Sequence, residues 1–69
     1  MPKVGATYKH YKGALYKVLF IATHSDTEEK LVIYQDVAHP EKVWARQPEM
    51  FMGETEWEGK KVPRFELIG

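Results

Sequence analysis

The chain has no cysteine. That excludes disulfide staples and thiolate metal sites, and it fits a reducing cytoplasm. It has no net charge, since ten Lys and Arg balance ten Asp and Glu. Zero charge disfavours strong non-specific nucleic-acid binding, which rests on neutralising phosphates. No hydrophobic run approaches the roughly 20 residues a membrane helix needs, so no membrane partner is expected. The longest such run, Val18 to Ala22, has strand length. Lys3 is followed by no apolar core of an export signal. Internal repeats, linkers and low-complexity segments are also absent.

Catalytic constellations are missing as well. There are no paired carboxylates, no nucleophile–base pair and no glycine loop shaped to cradle phosphate, so no enzyme is expected. His24-Ser25-Asp26 supplies the residue types of a hydrolase triad. A working triad needs an ordered relay, and adjacent residues on an extended chain point to opposite faces. The preferred reading is a hairpin turn in which Ser25 or Asp26 bonds nearby amides. His10, His24 and His39 form no close pair at ligand spacing, so no metal and no cofactor are expected.

What is present belongs to a small globular domain. In 69 residues, 43% are hydrophobic and 13% aromatic. A single domain spanning 1–69 is expected, stabilised by aromatic packing or by a partner subunit. Charge is arranged in blocks. Residues 1–24 carry Lys3, Lys9, Lys12 and Lys17 and no acid. Acidic blocks follow at Asp26, Glu28 and Glu29, and from Glu49 to Glu58. Lys60, Lys61 and Arg64 make the end basic. Such blocks are usually solvated faces, though a local basic patch remains compatible with them.

Short apolar runs alternate with turn formers, which predicts strands. Thr7 to Tyr11 is a first strand, closed by Lys12-Gly13. Residues 15–24 and 30–36 form a hairpin around His24 to Glu29. Val43 to Arg46 is a short strand after the His39-Pro40 turn. Pro48-Glu49-Met50-Phe51 suits one helical turn, ended by Gly53. Glu54 to Trp57 and Val62 to Ile68 make a last hairpin through Glu58-Gly59, and Pro63 marks an edge. Five or six short strands with one helical turn predict an all-β, SH3-like small barrel, with an OB-like barrel as the lesser choice.

Strand alternation puts Tyr16, Val18, Phe20, Ala22 and His24 on one face, and Leu15, Lys17, Leu19 and Ile21 on the other. Val32 and Tyr34 likewise oppose Leu31 and Ile33. Both faces are apolar, and strands of that kind are normally covered on both. Weak homodimerisation through Leu15, Leu19, Ile21, Leu31 and Ile33 is therefore expected.

The chain also resembles a family of short, mainly bacterial proteins called domain of unknown function 1653. The resemblance runs from Tyr8 to Phe65. It rests on Tyr8-x-His10-Tyr11-Lys12-Gly13, Tyr16-x-Val18, Ala22-x-His24-Ser25-Asp26-Thr27-x-Glu29 and Val32-Ile33-Tyr34. Trp44-x-Arg46, Met50-Phe51, Gly59 and Pro63-Arg64-Phe65 complete it. Two positions depart: Gln47 separates Arg46 from Pro48, and Asp26 stands where the family often has Glu. The resemblance implies an SH3-like barrel and no known activity.

Candidate ligand-binding residues are His10, Tyr11, Lys12, His24, Tyr34, Trp44 and Arg46. Tyr8, Tyr11, Tyr16, Tyr34 and Trp44, mixed with Lys9, Lys12 and Arg46, could line a groove suited to stacking and phosphate contact. The alternative is a core of aromatics with polar tips at its rim. Trp44 and Arg46 share one strand face. Arg46 could bind a carboxylate or phosphate bidentately, or pair internally with Glu29 or another acid. The internal pair is preferred. Two functional classes result. One is an SH3-like binding module for a peptide, a nucleic acid or a small anion, with nucleic acid not favoured. The other is a structural protein acting through homo-oligomer or partner assembly.

Overall fold

The computed structural model describes all 69 residues. The chain runs β1 (Thr7–His10), β2 (Leu15–Thr23), β3 (Lys30–Asp36), β4 (Val43–Arg46), α1 (Pro48–Met52), β5 (Glu54–Trp57), β6 (Lys60–Pro63) and β7 (Phe65–Leu67). Five strands form an antiparallel sheet in the order β4-β3-β2-β1-β7, and β5 pairs with β6 in a separate two-stranded sheet. The protein is mostly β with one short helix, and neither sheet closes on itself.

Most boundaries follow the sequence signals. The last expected strand does not: Val62 to Ile68 divides at Arg64 between two sheets. Pro63 brings no N–H to a ladder, and the Arg64 N–H donates instead to the Gly53 carbonyl at 3.0 Å. The Arg64 carbonyl accepts from the Tyr11 N–H at 3.1 Å. Both groups of Arg64 thus tie the β5–β6 hairpin to the larger sheet.

A β-bulge corrects the expected facing of β2. Val18 pairs with Tyr34, but Phe20 pairs with Ile33, so Leu19 is the extra residue. Alternation changes parity there. Tyr16 and Val18 face the core, and after the bulge Ile21 packs against it. Phe20 is turned outward and is 64% exposed. The outer face therefore carries Phe20 rather than Ile21, beside exposed Leu15 and Val43. The first strand and the last hairpin leave these side chains uncovered.

The core lies on the opposite face. Ala6, Tyr8, Val18, Val32, Tyr34, Phe51 and Phe65 are buried together. Tyr8 is a core residue and not a groove residue, and its hydroxyl accepts from the Lys3 N–H at 3.0 Å. Helix α1 closes this face with Phe51, whose ring stacks on Phe65 at 4.1 Å and 4°. Pro48 suits the first helical turn. Gly53 ends the helix where a Cβ would lie 2.8 Å from the Glu49 carbonyl oxygen.

The β5–β6 turn is strained at a defined position. Glu58 and Gly59 have φ of 53° and 78°, and they separate the paired Trp57 and Lys60. That is the type I′ geometry, which favours Asn over Glu at its first position. Glu58→Asn should raise stability by about 1 kcal/mol, seen as a Tm increase of roughly 4–8 °C. An unchanged melt would mean that the hairpin opens independently of the core.

Candidate functional site

The core-facing side of the sheet is not fully covered by α1. At the β4 end it leaves a cleft of about 140 Å³ lined by His10, Tyr16, Tyr34, Trp44, Arg46 and Phe65. Its size resembles a cavity of about 150 Å³ that admits a single benzene ring. Register assembles it. Tyr34 is opposite Trp44 and Val18, and His10 is opposite Phe65. Alternation then aims all six side chains to one side.

The walls are ring faces. Tyr16 lies 5.7 Å from Trp44, 5.6 Å from Tyr34 and 5.6 Å from Phe65, each pair in edge-on contact. Tyr34 and Phe65 are buried, while Trp44 is 40% exposed and forms the lip. Edge-to-face packing of this kind holds rings rigidly.

Arg46 is the one permanent charge in the lining. Its Nε donates to the Tyr34 hydroxyl at 3.2 Å. No carboxylate lies within ion-pair distance of it; the chain's one basic side chain that close to a carboxylate is His39, 3.9 Å from Glu41 on the surface. The expected acid partner is therefore replaced by a phenol. Glu29 accepts from the Gln47 side chain at 2.8 Å instead. The guanidinium keeps its terminal N–H groups for something else.

The neighbouring polar groups are also donors. His10 Nδ1 accepts from the Lys12 N–H at 3.1 Å, so the neutral ring carries its proton on Nε2. Burial first, then Lys12, Arg64 and Arg46, lowers the His10 pKa from its ordinary value. Burial, and after it the Asp36 carboxylate, raises that of Tyr16, whose phenol stays protonated at neutral pH. The cleft thus presents ring faces, a guanidinium and neutral donors, with no carboxylate in its lining. That chemistry suits an anionic group.

Of the candidate residues, His10, Tyr34, Trp44 and Arg46 come together here. Tyr11 lines a neighbouring cleft with Trp57, and Lys12 Nζ stands 5.8 Å from the Tyr11 ring centroid. His24 lies elsewhere, in the β2–β3 turn. Its Nδ1 accepts from the Asp26 and Thr27 N–H groups at 3.1 and 3.3 Å. The turn is therefore capped by the histidine, not by Ser25 or Asp26. Phe65 and Trp57 were not among the expected site residues. Phe65 carried a signal only within Pro63-Arg64-Phe65, and Trp57 had none beyond being aromatic.

The His10 environment sets a pH dependence. Its folded pKa is depressed, so protonation favours the unfolded chain. Its contribution to stability is complete above about pH 6.5 and is lost as pH falls toward the folded value. An anion beside His10 would favour the imidazolium and reverse this trend. Any anion held there should therefore bind more tightly at pH 5.5 than at pH 7.5, and His10→Gln should flatten the rise. Titrations across this range check it; a rise unchanged in His10→Gln would remove His10 from the cleft's chemistry.

Residues 6–67 match the family described as Protein of unknown function (DUF1653), and the chain belongs to that family. No curated protein and no solved structure matches it.

Proposed function

We propose that this family member is a small binding module whose cleft takes an anionic group carried on a planar ring. The observation that carries the reading is Arg46, held by Tyr34 among aromatic faces without a carboxylate. A guanidinium in a partly desolvated site binds phosphate or carboxylate through a rigid fork. Trp44 and Tyr16 supply faces for a flat moiety beside that charge. The protein works by recognition and not by catalysis.

The scaffold is SH3-like in this reading. Short antiparallel strands with one helical turn between β4 and β5 support it, with the barrel left open between β4 and β7. A thermal-shift comparison tests the function. A nucleoside monophosphate should raise the Tm of the native protein and not that of Arg46→Ala, because a ligand binding only the folded state stabilises it by mass action. Equal shifts in both proteins, or none in either, would reject it.

A second reading rests on a different surface. Leu15, Phe20 and Val43 leave an exposed apolar band on the outer face of the sheet. A weak homodimer would cover it. Solution mass at increasing concentration checks this: a dimer lost in Phe20→Ser supports it, and a monomer throughout rejects it.

A further inference from the structure

We propose that the cleft is one end of a longer aromatic track that binds single-stranded nucleic acid. This deepens the anion-cleft reading and rests on it. Trp57, Tyr11, His10, Tyr16 and Trp44 form a chain of near neighbours. Successive ring centroids are 5.3, 4.3, 6.1 and 5.7 Å apart. None of the five rings is buried in the core, and both tryptophans are at least 40% exposed.

The track spans two clefts. The second, of about 270 Å³, has Tyr11 and Trp57 as aromatic walls, with Val62 and Pro63 beside them. His10 lines both clefts and stands between them. Cations follow the same path. Lys9 lines the second cleft, and Lys12 Nζ stands 5.8 and 6.0 Å from the Tyr11 and Trp57 centroids. Arg46 lines the first cleft, and Arg64 lies near enough to His10 to lower its pKa. Glu66 is the one carboxylate in the lining of either cleft, and it pairs in register with Lys9.

A track of adjoining rings flanked by cations suits a polymer of bases joined by phosphates. The zero net charge does not oppose this, because a short single strand meets the local field and not the whole chain's total. A duplex offers its phosphates but hides its ring faces. A proline-rich peptide would use the rings but leave the cations without a role.

Fluorescence titration of the full chain tests this with four probes: a nucleoside monophosphate, a short single-stranded oligothymidylate, the same oligomer in duplex form, and a proline-rich peptide. Each base stacked on an aromatic ring is worth about 5- to 150-fold in affinity. The oligomer should therefore bind at least about tenfold tighter than the monophosphate, and Trp57→Ala should remove that gain while leaving the monophosphate unaffected. Lys12→Ala should weaken the oligomer and lower its salt dependence. Trp57 and Lys12 are exposed, and a melt of each variant confirms that it is folded. Equal affinity for oligomer and monophosphate would overturn the track and leave the cleft reading intact. Duplex binding as tight as single strand, or tighter binding of the peptide on the same rings, would also overturn it. Binding of neither nucleotide probe would overturn both readings.

Discussion

Phe51→Ala should unfold the protein or nearly so. Phe51 is fully buried and contacts Phe65 face to face, with Tyr8 and Tyr34 edge-on at 5.2 and 5.3 Å. Truncating such a ring costs about 3–5 kcal/mol. A domain of this length has a total stability of about 3–10 kcal/mol. The Tm should fall by on the order of 20 °C, or the transition should vanish. Met52→Ala is the control, since Met52 is its neighbour on the same helix and is exposed. That change should stay within about 0.5 kcal/mol. Circular-dichroism melts decide it, and a small shift for Phe51→Ala would mean that α1 is not part of the cooperative unit. The consequence reaches the cleft, because Phe51 backs Phe65 and Phe65 forms part of the cleft lining.

Arg46→Ala should do the opposite: fold normally and lose the anion binding proposed for its cleft. The side chain makes one hydrogen bond, to Tyr34, and leaves no buried carboxylate behind when removed. The donor is charged but only half-buried, so the bond is worth about 1.5 kcal/mol, the low end for bonds to charged groups. Hydrogen bonds to charged groups are worth about 1.5–3 kcal/mol, so affinity for a nucleoside monophosphate should fall by about 10- to 150-fold. Arg46→Lys should restore little of it, because an ammonium cannot reproduce the planar fork. Denaturant melts and binding titrations of the same preparations separate the two effects. A loss of about 3 kcal/mol in stability with unchanged affinity would make Arg46 a structural residue.

The sheet was largely legible because its strands are short, apolar and separated by strong turn formers. Val43 to Arg46 emerged with its correct bounds, and Trp44 and Arg46 with their shared face. The β2 facing was not legible beyond Val18. A bulge changes the parity of everything after it, and Leu19 looks like any other apolar strand residue. The sequence puts Phe51 on a helical turn, but Met50 and Met52 are equally apolar neighbours, and only packing against Phe65 selects which one is buried. The break at Arg64 was hidden because 62–68 is one stretch of strand length with no glycine inside it. Its cause is a long-range bond to Gly53. The site was half legible for the same reason. His10, Tyr34, Trp44 and Arg46 are strand residues aligned by register, whereas Phe65 and Trp57 join through the path of the chain after Gly53. His24 stood out by chemistry and proved to be a turn cap.

The most direct test of the proposed anion cleft is an amide and indole NMR titration with a nucleoside monophosphate. The account predicts saturable shifts at His10, Tyr16, Tyr34, Arg46 and Phe65 and at the Trp44 indole N–H, with Phe20 and Ile33 on the outer face unmoved. Shifts confined to the outer face, or a spectrum unchanged at saturating ligand, would contradict it.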